Sequence, residues 1–186
     1  MTPKLSSRLA AAFSAGLLSL ASQAQPVAPV RIIVPFNPGG GSDLFARAVA
    51  PGLQQSLQRT VIVENRSGAG GNLAADLVAK SAPDGNNLLV SFTSHTINAS
   101  LYKKLPFDPV ADFTPLTMVA TSPSVLVANP SLPVSSIKGL IDYAKPRPGQ
   151  LNFAIGGIGS SLHLAGEAFK LKAGVFIVNI PYRGTA

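Results

Sequence analysis

The chain has 186 residues, with 15 Lys and Arg against 8 Asp and Glu, and it contains no cysteine. Without cysteine, neither a disulfide framework nor a thiolate metal site can form, so packing must stabilise the fold. The basic residues behind the net charge of +7 are scattered, which argues against nucleic-acid binding. The positive charge suits small anionic molecules as partners, but a solvated basic surface explains it equally well.

The first 24 residues have the pattern of a cleavable signal peptide. Lys4 and Arg8 precede an uncharged apolar stretch over residues 9–21, and small residues then stand at Ser22 and Ala24. The apolar stretch is shorter than the roughly 20 residues that cross a bilayer. We therefore expect export to the periplasm, cleavage after residue 24, and no membrane span in the mature chain.

The first part of the mature chain alternates between predicted strands and helices. Strands are predicted at residues 31–34, 61–64 and 88–90, because these runs are rich in β-branched and aliphatic residues. A first helix follows residue 42, with Ser42 or Asp43 as its N-cap and a kink or break at Pro51-Gly52. A second helix is predicted at residues 72–80. Short loops between such elements indicate an α/β fold with a parallel sheet.

The second part begins with an irregular connection over residues 102–115, which is rich in Pro, Phe and Asp. Two apolar runs follow at residues 116–120 and 125–128. The alternation then returns, with a helix from Ser135 to about residue 144, capped by Ser135 or Ser136. A strand at 151–155, a helix at 162–172 and a strand at 175–180 complete the predicted elements.

Glycine-rich loops join a strand to a helix three times, at residues 37–43, 65–72 and 156–161. The first N–H groups of a helix have no internal acceptor, the helix dipole is positive there, and glycine lets a ligand approach the backbone. Such loops gather at the carboxyl ends of the strands. We therefore predict a site in which main-chain amides hold a carboxylate; the alternative is that the glycines only make tight turns.

Enzyme motifs are incomplete. Leu73 stands where the dinucleotide-binding fingerprint requires a third glycine, and neither Ser160 nor Ser161 has the flanking glycines of a nucleophile elbow. His163 and Glu167 lie one helical turn apart, but two ligands are too few for a metal. We predict no catalytic residue, cofactor or metal. Two alternatives stay open: a hydrolase or transferase fragment using Ser160 or Ser161, and a non-binding remnant.

These motifs resemble the Bug family, the extracytoplasmic solute receptors of tripartite tricarboxylate transporters. The resemblance covers nearly all of the mature chain in the family's order. It is carried by Val34-Pro35-Phe36, Gly39-Gly40, Asp43, Arg47, Glu64-Asn65-Arg66, Gly68-Ala69-Gly70-Gly71, Pro83-Asp84-Gly85, Leu101-Tyr102, Leu105-Pro106-Phe107-Asp108, His163-Leu164-Ala165-Gly166-Glu167 and Pro181-Tyr182-Arg183-Gly184. The chain departs from the family at Ser67, Asn86 and Asn179, where proline, an aromatic residue and histidine are usual.

The resemblance implies a two-lobed clamshell of the type II periplasmic-binding-protein class, which closes on a small carboxylate and delivers it to the transporter's membrane subunits. Residues 25–115 would form the first lobe and residues 116–186 an incomplete second lobe, since relatives continue and return to the first lobe. We therefore hypothesise a truncated product or fragment.

The resemblance also implies a set of ligand-binding residues, drawn from both lobes. Asp43 is expected to act structurally, by capping its helix and holding the loop, since a free carboxylate would repel the ligand. His95 is interpreted either as a wall of the pocket or as a loop residue. The implied set is Phe36, Gly39, Gly40, Asp43, Ser94, His95, Gly159, Ser160 and His163.

Overall fold

The computed structural model describes residues 27–184, so the predicted signal peptide lies outside the described residues. Within this range the chain forms two parallel β-sheets with helices between the strands. The elements in chain order are β1 (Val30–Val34), α1 (Gly41–Leu57), β2 (Val61–Asn65), a 3₁₀ turn (Ala69–Gly71), α2 (Asn72–Ala79), β3 (Asn87–Leu89), α3 (Thr93–Leu101), α4 (Ile137–Ala144), β4 (Asn152–Ile155), α5 (Ser161–Ala173) and β5 (Val178–Pro181).

The larger sheet has the order β2-β1-β3, with β1 paired in parallel to both neighbours. Because β1 is central, its aliphatic side chains are buried on both faces. Ile32 and Val34 pack with Ala46 of α1 in the hydrophobic core, and Ile33 on the opposite face is completely buried. The apolar run that predicted the first strand is therefore the centre of the core.

The smaller sheet consists of β4 and β5, paired in parallel with Asn152 opposite Val178. The helices around it begin at serine caps, because a serine hydroxyl accepts a hydrogen bond from an amide that has no intrahelical acceptor. The Ser136 side chain accepts from the Gly139 amide at 3.1 Å, as the sequence predicted, and Ser160 caps α5 in the same way.

The structure corrects the predicted start of α1 and the break predicted within it. Gly40, and not Ser42 or Asp43, is the N-cap of α1, and no side chain bonds to that cap. The helix does not break at Pro51-Gly52, since α1 runs continuously to Leu57 with Pro51 inside it. The residues after β3 form the helix α3, so His95 lies on a helix and not in a loop.

The apolar runs at residues 116–120 and 125–128 do not enter the core. No strand or helix is assigned between residues 113 and 128, and the large apolar side chains there are exposed. Leu116, Met118 and Val125 retain 75%, 78% and 80% of their accessible surface. An exposed set of this kind marks a surface that covering polypeptide would stabilise. Among residues 27–184, the structure contains no helix long and apolar enough to span a membrane.

A buried lysine joins α5 to β5. The Lys170 ammonium donates to the Ile177 carbonyl at 3.0 Å and to Asn179 Oδ1 at 3.1 Å, and it lies 2.6 Å from Glu167 Oε1. The Lys170 hydrogen bond, followed by one from Asn179, holds the pKa of the Glu167 carboxyl below its ordinary value. Three acceptors thus compensate the burial of this charge, which would otherwise be unfavourable.

We predict that Lys170→Met lowers the free energy of unfolding by about 1–3 kcal/mol, since the buried Ile177 carbonyl and the Asn179 side chain lose their donor. Urea unfolding followed by circular dichroism measures this change. The matched control is Lys172→Met, two residues further on the same helix, where the side chain is exposed and the effect should stay within about 0.5 kcal/mol. Equal effects of the two variants would contradict the assignment.

Candidate functional site

The three glycine-rich loops meet at the carboxyl ends of the parallel strands. A Cβ placed on Gly70 of the second loop would lie 2.5 Å from the Ile158 carbonyl oxygen of the third loop. The first loop joins them through the residues after β5, because the Asn37 amide donates to the Arg183 carbonyl at 3.3 Å. The loops of the two sheets therefore form one cluster, which we call the loop junction: residues 36–43, 66–72, 156–161 and 182–184.

Asp43 holds the first loop in place. Its buried carboxylate accepts hydrogen bonds from the Gly39 amide at 3.0 Å, from Arg47 Nε at 2.9 Å and from Asn65 Nδ2 at 3.0 Å. Asn65 Nδ2 also donates to the Phe36 carbonyl at 3.0 Å. Every polar contact of Asp43 is thus to protein, and it ties α1, the loop and the end of β2 together instead of facing a ligand.

The third loop is held by its own helix. Ser160 Oγ accepts from the His163 amide at 3.2 Å, and the Gly159 amide donates to His163 Nδ1 at 3.3 Å. Glu167 Oε1 lies 3.8 Å from the other ring nitrogen, Nε2. Within residues 27–184 no hydrogen bond joins the His163 ring to a serine hydroxyl, which does not support a serine nucleophile here.

Several amides that the sequence analysis assigned to a ligand are occupied by protein atoms. The amides of Gly39 and Gly159 bond to side chains, as described above, and Gly40 and Ser160 donate to carbonyls of their own loops. The amides that remain without a hydrogen-bond acceptor belong to the first residues of each helix. The first backbone bonds are Leu44 to Gly40 in α1 and Leu164 to Ser160 in α5.

It follows that the amides of Gly41, Ser42 and Asp43 in α1, and of Ser161 and Leu162 in α5, have no intrahelical acceptor. These five amides were not predicted, because the helices begin earlier in the chain than expected. The Gly40 cap places the open amides of α1 before those that a cap at Ser42 or Asp43 would leave open, and the Ser160 cap begins α5 one residue earlier than predicted.

Ser94 and His95 both lie on α3, and both help to line the cavity beneath the second loop. A Cβ on Gly71 would lie 3.7 Å from the buried Ser94 Oγ. His95 Nε2 lies 2.8 Å from the Pro109 carbonyl, to which it donates, and its ring stacks on Phe107 with a centroid separation of 5.9 Å. His95 thus anchors the irregular connection after α3, a role that its position in the sequence did not indicate.

Asn98 of α3 is a junction residue that the sequence analysis missed. It is 1% exposed, and its Nδ2 donates to the Gly70 carbonyl at 3.1 Å and to Asn72 Oδ1 at 2.9 Å. Its Oδ1 has no hydrogen-bond partner among residues 27–184. A Cβ on Gly159 would overlap this oxygen, so Asn98 contacts the third loop from the opposite side of the junction.

The junction encloses little space. The cavity beneath the second loop, which Gly70, Gly71, Ser94 and Asn98 help to line, has a volume of about 10 Å³. This is near the lower limit for a single water molecule, so a dicarboxylic acid cannot fit without movement of the loops. Among residues 27–184 no group of three or more potential metal-binding side chains comes together.

The charge of Asp43 should make stability depend on pH. Hydrogen bonding by Arg47, with smaller contributions from Gly39 and Asn65, outweighs burial and lowers the pKa of Asp43 from 3.8 to about 2. A carboxyl with a lowered folded-state pKa stabilises the fold above its unfolded value, and this contribution is lost as the pH falls towards 2.

We therefore predict that the stability difference between wild type and Asp43→Asn shrinks by about 2 kcal/mol between pH 5 and pH 2. Because other carboxyls titrate equally in both proteins, the difference isolates Asp43. Urea unfolding of the two proteins across this pH range provides the measurement. A stability difference that stays constant with pH would show that the first loop is not held by an ionised Asp43 carboxylate.

The comparisons with known proteins agree with this geometry. Residues 45–186 match the model of the tripartite tricarboxylate transporter family receptor. Protein BugT of Bordetella pertussis is 44% identical over 162 residues, which cover 86% of this chain and 50% of BugT. The chain thus spans about half the length of the relatives that it matches.

Solved structures show the same fold. An R. palustris protein solved with adipate is 38% identical with a TM-score of 0.81, over 86% of this chain and 54% of that one. MatC from Rhodopseudomonas palustris, with bound malate, is 31% identical with a TM-score of 0.78, over 86% and 54%. The periplasmic binding protein BugD is 34% identical with a TM-score of 0.74, over 84% and 52%.

The family is one of receptors and not of enzymes, so the hydrolase alternative has no support from it. The predicted α/β fold of the periplasmic-binding-protein class is confirmed for the half that the chain spans. The chain belongs to the receptor family of the tripartite tricarboxylate transporters, the family that its glycine-loop motifs resemble.

Proposed function

We propose that this chain is the part of a periplasmic receptor that grips a small carboxylate and presents it to the membrane subunits of a tripartite tricarboxylate transporter. One observation supports the proposal: the glycine-rich loops that follow β1, β2 and β4, strands of two separate sheets, lie together in one junction. Converging helix starts bring open amides and positive dipole ends together, which is the chemistry that binds an anion.

The proposed donors are the amides of Gly41 and Ser42 on α1 and of Ser161 and Leu162 on α5. Together they would bind the two oxygens of one carboxylate without an arginine. Gly39, Gly40, Gly159 and Ser160 would then shape the loops and not donate. This division follows from the hydrogen bonds that already occupy their amides.

Phe36, Ser94 and His163 would complete the walls around the ligand. Phe36 is half-buried and meets Phe92 edge to face, with ring centroids 6.1 Å apart, so it offers an apolar surface to a ligand's carbon chain. Asp43 and His95 support the walls from outside, through Arg47 and through the Pro109 carbonyl. The boundary between the two lobes near residue 115, and export by the N-terminal segment, are part of the same proposal.

Ligand entry requires the junction to open. The Ile158 carbonyl lies against Gly70, and the space beneath is about 10 Å³, so the observed arrangement is a closed one without room for an acid. Separation of the third loop from the second would expose the open amides of both helices. The relatives solved with adipate and with malate support a carboxylate as the ligand.

We expect adipate or malate to bind the chain and raise its melting temperature, because a ligand that binds only the folded state stabilises it by mass action. Calorimetric titration and thermal unfolding test this directly. Adipamide, the neutral diamide of the same length, is the matched control. It should neither bind nor raise the melting temperature, since the amides of the helix starts select negative charge. Equal binding of adipate and adipamide would contradict recognition by amides.

We also expect Gly159→Ala to weaken carboxylate binding by about tenfold or more, since its methyl group would overlap Asn98 and displace the third loop, which leads into the proposed donors of α5. Gly174→Ala is the matched control, because both glycines have positive φ, 83° and 63°, but nothing lies within 4 Å of a Cβ at Gly174. The control carries similar backbone strain and should bind like wild type. Equal losses of affinity in both variants would show that backbone strain, and not the overlap with Asn98, weakens binding.

A further inference from the structure

In the side-chain amide of Asn98, the nitrogen makes hydrogen bonds to protein, whereas the oxygen makes none among residues 27–184. Its Nδ2 donates to the Gly70 carbonyl and to Asn72 Oδ1. A carbonyl can only accept, so the Gly70 contact fixes which end of the amide is nitrogen. The oxygen must then face the third loop, where it has no partner among residues 27–184. An acceptor buried to 1% exposure without a donor is uncommon in folded proteins and points to a missing hydrogen bond.

No protein donor bonds to this oxygen among residues 27–184. The Ile158 carbonyl, which lies close to Gly70, can only accept, and the nearby Tyr102 hydroxyl makes no hydrogen bond to Asn98. Gly159, the residue that touches Asn98 Oδ1, cannot supply its amide, because that amide already donates to His163 Nδ1. A group that enters between Asn98 and Gly159 when the loops part must therefore bring its own N–H or O–H.

We propose that Asn98 Oδ1 is a specificity determinant that accepts a hydrogen bond from a hydroxyl or ammonium group on the ligand, beside the carboxylate held by the helix starts. This inference rests on the proposed function. It makes the receptor selective for 2-hydroxy or 2-amino dicarboxylates over the unsubstituted acids of equal length. A carboxylate oxygen would be repelled at the same position, so Asn98 also fixes the direction in which the ligand lies.

The test compares succinate, malate and aspartate, which share a four-carbon chain and differ at one substituent. We expect the wild-type chain to bind malate or aspartate about tenfold more tightly than succinate in calorimetric titrations, about the difference that one buried hydrogen bond makes. In Asn98→Leu, which keeps the size of the side chain but removes the acceptor, the ratio should fall to about one.

Asn72→Ala is the matched control. It removes the hydrogen bond between Asn98 Nδ2 and Asn72 Oδ1 but leaves Asn98 Oδ1 in place. The variant should therefore be less stable but retain the preference for malate or aspartate. Loss of the preference in both variants would mean that Asn98 acts only by holding the second loop. If Asn98→Leu does not fold, the wild-type ratio decides, and equal affinity for all three acids overturns the inference.

A crystal structure with malate separates a ligand donor from a bound water. A malate hydroxyl within hydrogen-bond distance of Asn98 Oδ1 supports the inference, whereas a water in that place with the ligand elsewhere overturns it. Binding of the three acids without preference removes this inference but leaves the proposed function intact. Failure of every carboxylate to bind or to raise the melting temperature removes both.

Discussion

Parallel pairing to β1 is the constraint on which the candidate site depends. The backbone ladder continues past the strand ends, where the Arg66 amide donates to the Val34 carbonyl and the Val90 amide to the Ile33 carbonyl. The loops after β1, β2 and β3 therefore leave the sheet at the same level and on the same edge. In the smaller sheet the Tyr182 amide bonds to the Ile155 carbonyl in the same way, which aligns the loops after β4 and β5.

Buried polar side chains hold the loops that this pairing brings together. Asp43 joins the first loop to β2, Asn98 joins α3 to the second loop, and Lys170 joins α5 to β5. Each of them reaches a backbone group that regular secondary structure leaves open, and each is nearly or fully buried. Their hydrogen bonds give a defined geometry to loops that contribute little apolar surface, so removal of one partner leaves a buried group unsatisfied.

The packing of the chain is uneven. The sheet around β1 has a continuous core, whereas the residues that follow the irregular connection expose Leu116, Met118 and Val125 almost completely. The relatives are about twice as long as the matched region. Polypeptide that covers these side chains would bury the apolar surface that residues 113–128 expose here. This need for packing is separate from the chemistry of ligand binding.

Recognition through main-chain amides, as proposed, would also explain how one scaffold serves different acids. Relatives with the same fold were solved with adipate and with malate, which differ in length and in a hydroxyl group. An amide at a helix start can donate to the carboxylate that these ligands share. This donor does not depend on which side chain the residue carries. Discrimination between ligands would then come from a few side chains near the junction, such as Asn98, whose Oδ1 is without a partner among residues 27–184.

Local sequence patterns were enough to predict the α/β class, most strands and helices to within two or three residues, a serine cap at residue 135 or 136, and the family. These features follow from local patterns: β-branched runs, glycine after a strand, serine before a helix. Which amides stay open was not predictable, because Asp43 and His163 each accept from a glycine amide four residues earlier, and the orientation of the Asp43 side chain depends on Asn65 of a distant strand. The tertiary structure also placed His95 and Asn98 on a helix, since burial against loops distant in the chain, and not local propensity, orders that segment.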